Sequence, residues 1–315
     1  MDDPPSLPAR ATDAHKGTAG TVGVIGGCAA DDQPRMIGAP ALAALGALRA
    51  GAGLAKIAAP GPILTEAVAA CPSATGIALP TDDAGAVVGH EGAVVLDALA
   101  EAADALVVGP GLGSAEGVTA LVVRAVGQPE SPVVLDADGL NTLAGVAHFA
   151  SEIRARLIVT PHPGEFRRLA EPLKITEDPT NAHERPAAGE RLAQALGCVV
   201  VLKGAGTVVS DGHRTWTCQH GHPCLATAGT GDVLAGVIAG MVAQFAAPPP
   251  LAPGVAVPAD SARPFDLYEC ARVGVLVHAR AGERWARRHG ASAGLIASEL
   301  AAEIPASVEA ERSRG

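Results

Sequence analysis

Short, unbroken runs of aliphatic and β-branched residues recur along this 315-residue chain with helix-patterned stretches between them, and that alternation leaves few folds open. The runs fall at 21–25, 54–58, 105–108, 133–136, 157–160 and 199–202. Each is continuously apolar, as strands are when both faces of their sheet are covered. Helical patterns lie at 37–50, 115–126 and 187–196. The alternation predicts an α/β fold: a mostly parallel central sheet with helices on both faces.

After the sixth run the pattern changes. Stretches 207–210 and 215–217 flank Asp211-Gly212, a dipeptide that supplies the positive φ angles of a tight hairpin, so antiparallel strands are expected at one edge. An apolar stripe then starts at Gly231 and carries Val233, Leu234, Val237, Ile238, Met241, Val242 and Phe245 at helical spacing, with Gly236 and Gly240 opening another face to close packing. Residues 246–264 are rich in Pro and Ala, lack periodicity and read as an exposed loop or disordered insertion before a helix starting near Asp266. Residues 1–13 and 306–315 read as flexible tails around a single domain, 14–305.

Composition removes several functions. A chain that is 48% hydrophobic and 18% charged can bury a full core. Its net charge of -10 provides no basic surface for nucleic acid, so any phosphate site must use backbone amides or a few cations. No apolar run is long enough for a membrane span, and the acidic, proline-rich start is unlike a secretion signal, so a cytoplasmic protein is expected. Six cysteines without a C-x-x-C pair point to reduced thiols. The 38 glycines cluster at the ends of apolar runs, where backbone approaches ligands, although a GC-rich genome also inflates glycine.

Ala228-Gly229-Thr230-Gly231-Asp232 opens the apolar helix. Glycines let the backbone turn its amides inward, and the helix N-terminus adds positive dipole, which together make an anion hole. Asp232 sits where a base is needed, or is simply an acidic first-turn residue stabilised by the dipole. Asp136 and Asp138 end a strand and either hold Mg2+ through water or cap a helix beginning near Gly139; Glu165 lies in the same rim. Lys203, at the end of the sixth run, reads on its own as a solvated strand-end cation. His162, stiffened by Pro161 and Pro163 at a strand's carboxyl end, reads as a ligand contact or a buried structural histidine. Cys218-x-His220-x-His222-x-Cys224 suggests zinc, but period-two spacing converges poorly on a tetrahedral ion.

Ala228 to Asp232, followed by Val233-Leu234-Ala235-Gly236, resembles the phosphate-side signature of ribokinase-like enzymes. His15-Lys16-Gly17, Gly109-Pro110-Gly111-Leu112-Gly113, Asp136-Ala137-Asp138-Gly139-Leu140-Asn141, Thr160-Pro161-His162-Pro163-Gly164-Glu165-Phe166 and Lys203-Gly204 narrow the resemblance. In this order they are similar to the ADP-dependent (S)-NAD(P)H-hydrate dehydratases, from about His15 to near Leu300. The lone glycine turn is weak evidence; the longer motifs at these mutual spacings are strong together.

The resemblance implies a ribokinase-like fold and a lyase that repairs nicotinamide cofactors. A nucleotide, ADP or alternatively ATP, phosphorylates the ring hydroxyl of hydrated NADH or NADPH, and phosphate then leaves. It implies Asp232 as general base, with Gly229, Thr230 and Gly231 stabilising the transferred phosphoryl group. Nucleotide falls on Lys203, Gly204, Ala205, Gly206, Thr207 and Gly231, and the hydrate on Ala39, Gly113, His162 and Asp232. Mg2+, a homotetramer and a separate epimerase partner are implied too, since the sequence lacks the epimerase domain of some relatives. His222 and Cys224 depart from the family's usual asparagine and glycine. The alternatives are a ribokinase-like kinase of a small hydroxymethyl or hydroxyethyl heterocycle and an inactive nucleotide-binding regulator.

Overall fold

A computed structural model describes residues 3–246 and 264–314, and its described residues build a nine-stranded sheet in the order β3-β2-β1-β4-β5-β6-β7-β8-β9. The strands are β1 (Thr21–Ile25), β2 (Leu54–Pro60), β3 (Thr75–Leu79), β4 (Ala105–Val108), β5 (Val133–Leu135), β6 (Leu157–Val159), β7 (Val199–Leu202), β8 (Val208–Ser210) and β9 (Thr215–Thr217). The pairs from β3 through β7 are parallel, and β8 and β9 are antiparallel. The expected architecture is thus present, with one strand added. β3 escapes the sequence pattern because it is an edge strand, exposed over much of its length and interrupted by Gly76.

Alternate residues of each central strand enter opposite cores, which is why the runs are apolar throughout. Val22, Val24, Val107, Val134, Ile158 and Val201 face one core. Ile25, Leu106, Val108, Leu135, Val159 and Leu202 face the other. The first core is covered by α1 (Gly38–Arg49), α2 (Leu64–Ala70), α8 (Thr230–Phe245), α9 (Leu267–His289) and α10 (Ala297–Arg312). The second is covered by α3 (Gly89–Glu101), α4 (Glu116–Gly127), α5 (Asp138–Ala144), α6 (Pro163–Ala170) and α7 (Arg185–Leu196).

Helix α8 is buried nearly all round. Its glycines meet α1: a Cβ at Gly236 would strike the Ala43 carbonyl, and one at Gly240 would lie 2.9 Å from the Ala47 carbonyl oxygen. Backbone therefore meets backbone, fixing the start of α8 at the carboxyl end of the parallel strands.

Three local expectations need correction. The β8–β9 turn has four residues, 211–214, with Ser210 opposite Thr215. Gly212 takes positive φ there, while the Asp211 carboxylate accepts the amides of His213 and Arg214. Residues after 305 are no tail: α10 runs through Pro305 to Arg312 because Ile304 and Val308 bury in the core and Glu311 meets Arg280 and Arg314. Nor is the start loose, since Leu7 is buried and its amide donates to the Glu311 carbonyl at 3.2 Å. Of the Pro/Ala-rich segment, 247–263 lies outside the described residues. Among the described residues no helix is long and apolar enough to cross a membrane.

Candidate active site

The site is assembled where β5, β6 and β7 end and α8 begins. Gly229 precedes α8 with φ 87°, so the left-handed residue of the turn is Gly229 rather than Gly231. A Cβ at Gly229 would also come within 2.7 Å of Leu42 Cδ1 and 2.9 Å of Ala297 Cβ. Gly231 lies inside the first helical turn, where a Cβ would stand 3.7 Å from Lys203 Nζ. The Thr230 hydroxyl lies within donating distance of the carbonyls of Leu225 and Thr227, at 2.9 and 2.8 Å. Its carbonyl accepts from His278 Nε2 at 2.9 Å. These bonds fix the turn, leaving the orphan amides at its mouth for an anion.

Asp232, in that first turn, has its carboxyl pushed up to about 7. Burial is the main cause, followed by the charge of Asp136; Asp138 and Glu165 add to it and Lys203 pulls the other way. A carboxyl with this affinity can take a proton near neutral pH and release it again.

Lys203, one residue beyond β7, reaches Asp136 Oδ1 at 2.5 Å and lies 3.7 Å from Glu165 Oε2. Burial alone would discharge this ammonium, but Asp136 and Glu165 outweigh it and hold it charged. It is therefore not a solvated cation. Asp136 also accepts from the Thr160 hydroxyl at 2.7 Å. Glu165 accepts the His162 amide at 2.7 Å, yet burial pushes its carboxyl up to about 7. Asp138 sits in the first turn of α5 without capping it and takes the Gly113 amide at 2.9 Å, tying the glycine loop to the site.

Asp136, Asp138 and Glu165 are thus brought to one rim but not joined as direct metal ligands. Among the described residues no group of three or more His, Cys, Asp or Glu is arranged to hold an ion. The Lys203 ammonium engages Asp136 and Glu165, and the Gly113 amide engages Asp138. The donor chemistry suits a magnesium ion approached through water, not one stripped of it.

His162 differs from the buried histidine considered above. Its side chain is half exposed and caps α6: Nδ1 accepts the amides of Gly164 and Glu165 at 2.9 and 3.3 Å. The tautomer follows, since Nδ1 must be bare, and Nε2 lies 3.4 Å from Glu165 Oε1. Burial, Lys203 and Arg168 lower its proton affinity. The glycine loop is tied to Asp138 through the Gly113 amide. Gly111 and Gly113 take φ 64° and 73°; Cβ atoms there would meet Met36 and Ala39, or Cys28 and Gln33. Ala39, the second residue of α1, lies beside Gly111.

Residues 203–207 form the loop between β7 and β8 and line a cavity. Gly204 and Gly206 take positive φ, and the Thr207 hydroxyl donates to the Gly204 carbonyl at 3.0 Å. Beneath the loop, the buried Arg185 guanidinium donates to the carbonyls of Leu202, Lys203 and Gly206 at 3.1, 3.3 and 3.4 Å. Arg185 was not singled out by sequence; its place at the start of α7 gives no motif. The loop, with Cys218 to Pro223, Leu225, Thr230, Gly231, Leu234, Val275 and His278, encloses a cavity of ≈ 540 Å³. His278 is a second residue missed, hidden in the apolar pattern of α9.

The Cys/His segment does not converge. Cys218 Sγ faces the His220 carbonyl, Cys224 Sγ the Gly282 carbonyl, His220 the Glu283 carboxylate, and His222 Nδ1 accepts the Cys224 amide. His222 thereby caps a 3-10 turn, Pro223–Leu225, that leads into the anion-hole turn. The two departures from the family pattern are absorbed as a histidine cap and a buried thiol.

Comparison with known proteins follows from this geometry. A family model described as NAD(P)H-hydrate dehydratase matches residues 22–306. The bifunctional NAD(P)H-hydrate repair enzyme Nnr of Salinibacter ruber is 42% identical over 246 residues, 76% of this chain and 43% of that protein. The ADP-dependent (S)-NAD(P)H-hydrate dehydratase of Xanthomonas campestris is 34% identical over 301 residues, 95% of this chain and 91% of that one. A crystal structure of the ADP/ATP-dependent NAD(P)H-hydrate dehydratase of Bacillus subtilis, co-crystallised with ATP and Mg2+, has a TM-score of 0.72 at 29% identity and covers 97% and 95% of the two chains. The chain spans about half the length of the bifunctional relatives it matches. The shared fold is ribokinase-like, and the chain belongs to the NAD(P)H-hydrate dehydratase family.

Proposed function

We propose that this chain restores NADH and NADPH from the S epimers of their hydrates at the expense of ADP, with ATP as the alternative donor. The observation that carries the reading is Asp232: a half-buried carboxyl with proton affinity near neutrality, at a helix start whose amides form an anion hole, beside a cavity walled by residues 203–207. The nucleotide occupies that cavity, with the 203–207 loop and Gly231 against its phosphates. The hydrate lies on the opposite wall, across Ala39, Gly113 and His162.

Asp232 accepts the proton of the ring hydroxyl as its oxygen attacks the terminal phosphorus of ADP, and the phosphorus–oxygen bond to AMP breaks. Amides of Gly229 to Gly231 and the Lys203 ammonium stabilise the charge on the moving phosphoryl group. The ring nitrogen lone pair then expels phosphate, and loss of the adjacent ring proton restores the dihydropyridine. One AMP and one phosphate form per cofactor. When bound, Mg2+ neutralises nucleotide charge, and Asp136, Asp138 and Glu165 would hold it through water. A homotetramer, a cytoplasmic site of action and cooperation with a separate epimerase complete the proposal.

The test is incubation of the protein with Mg2+, ADP and hydrated NADH or NADPH. The expected result is recovery of dihydronicotinamide absorbance with equal AMP and phosphate. Recovery without nucleotide consumption would mean simple acid–base dehydration. A lasting phosphate ester would mean a kinase, and binding without turnover an inactive regulator; each overturns the proposal.

A further inference from the structure

The ring of His278 has two nitrogens with different surroundings. It stands on α9 and is buried against the first residue of α8. Nε2 lies 2.9 Å from the Thr230 carbonyl oxygen. A carbonyl only accepts, so Nε2 carries the hydrogen and Nδ1 presents a bare lone pair. Burial, with Lys203 nearby, drives the proton affinity down to about 4, so the ring stays neutral and this tautomer is fixed through neutral pH.

Nδ1 has no hydrogen-bond partner among the described residues, and it is not sealed from the cavity that the residue lines. The residue lines the ≈ 540 Å³ cavity with Leu225, Leu234, Val275 and Ala279, which are apolar, and with Lys203 and Gly231, which reach toward the anion hole. A fixed acceptor at the junction of an apolar pocket and a phosphate site suits a nucleoside that offers an N–H or O–H donor.

We propose that His278 recognises the nucleoside of the bound nucleotide: Nδ1 accepts from its exocyclic amino group or its ribose 2′-hydroxyl, while Nε2–H pins Thr230. One ring then joins nucleotide seating to the turn that carries Asp232. This rests on reading the cavity as the nucleotide site. No proton or electron moves in this role, so His278 contacts the ligand and positions the turn without entering the chemistry.

Two substitutions separate the two nitrogens. His278→Gln places an N–H donor near Nε2 and removes the Nδ1 acceptor. His278→Asn keeps an acceptor near Nδ1 and cannot reach Thr230. Steady-state rates are measured with ADP, inosine diphosphate, which lacks the amino donor, and 2′-deoxy-ADP, which lacks a ribose donor. Loss of one hydrogen bond predicts KM for ADP about tenfold higher in His278→Gln with kcat within about twofold. His278→Asn should show the reverse split. In the wild type, one analogue should be disfavoured about tenfold, which identifies the donor, and that preference should vanish in His278→Gln. Equal preference in wild type and His278→Gln, or a kcat loss alone in His278→Gln, overturns the proposal. Thermal melts check folding, and if His278→Gln does not fold, the wild-type analogue series decides: no discrimination against either analogue overturns it. Wild-type protein without saturable dependence on ADP would instead remove the nucleotide reading itself, and this proposal with it.

Discussion

Asp232→Asn keeps the shape and hydrogen bonds of the helix start but cannot accept a proton. Loss of a general base lowers turnover by about 10²- to 10⁴-fold, and nucleotide binding should persist. The same substitution probes the cost of the buried charge. Raising the carboxyl from its ordinary 3.8 to about 7 disfavours the ionised form by about 4 kcal/mol. The folded-state value lies above the unfolded one, so the contribution is fully favourable below pH ~4 and is lost as pH rises through ~7. Asparagine escapes that loss, which already includes the attraction to Lys203, so a gain of up to about 4 kcal/mol is expected at pH 8, shrinking toward zero at pH 4. Stopped assays of AMP release between pH 5 and 9, with denaturant melts at each pH, check both halves. In the wild type, kcat/KM should rise with pH through an apparent value near 7 shared by Asp232 and Glu165. A variant with near-wild-type rate would dismiss Asp232 as the base. A stability difference independent of pH would dismiss burial as the source of its proton affinity.

Gly231→Val should lose nucleotide affinity with a normal melting temperature, because its Cβ has ordinary space while its methyls enter the cavity; Gly229→Val should lower the melt itself, from φ 87° and the contact with Leu42. Unfolding of the Gly231 variant would make that glycine structural. His162→Ala should raise KM for the hydrate more than for ADP and lose about 1 kcal/mol of helix capping, which His162→Asn restores without restoring KM; equal changes in both KM values would remove His162 from the dinucleotide wall. Arg185→Leu should raise KM for ADP about tenfold by freeing the carbonyls of Leu202, Lys203 and Gly206, and Arg185→Lys should rescue little because an ammonium cannot fork; an unchanged KM refutes its support of the loop. Lys203→Met removes the charge that holds Asp232 and Glu165 down, so the acid limb of kcat/KM should move above 7 and activity should recover partly at high pH; an unmoved limb separates Lys203 from Asp232.

The fold was legible where residues face two cores. A strand such as β4, Ala105–Val108, is apolar at every position because Leu106 and Val108 enter one core and Ala105 and Val107 the other. β3 was not legible, since an edge strand has one covered side at most and Gly76 breaks its pattern. The end of α10 misled for a different reason. Pro305 removes one amide donor and reads as a stop, whereas the apolar face carried by Leu300, Ile304 and Val308 outweighs that loss once α9 is present. A local signal was overruled by a partner that lies distant in sequence.

The site divides along the same line. Asp232 and Gly229 announce themselves because a glycine-rich turn before a helix is a local device, whereas the 203–207 loop was marked by the family resemblance, and which glycine bears the positive φ is set by the fold. Arg185 and His278 act across long sequence separations, one on α7 beneath the β7–β8 loop and the other on α9 behind Thr230, so no spacing marks them. The carboxylates show what pairing adds to a residue list. Read singly, Asp136, Asp138 and Glu165 suggest a metal shell and Lys203 a solvated strand-end cation. Brought together, Lys203 lies between Asp136 and Glu165 while Asp138 anchors Gly113, so one lysine offsets a cluster of acids that also includes Asp232. An anionic nucleotide entering that cluster would raise the proton affinity of Asp232 further unless positive charge entered with it. The acidic rim therefore favours a nucleotide that arrives with its cation, and it is the base at Asp232, more than the phosphate, that such charge would keep competent.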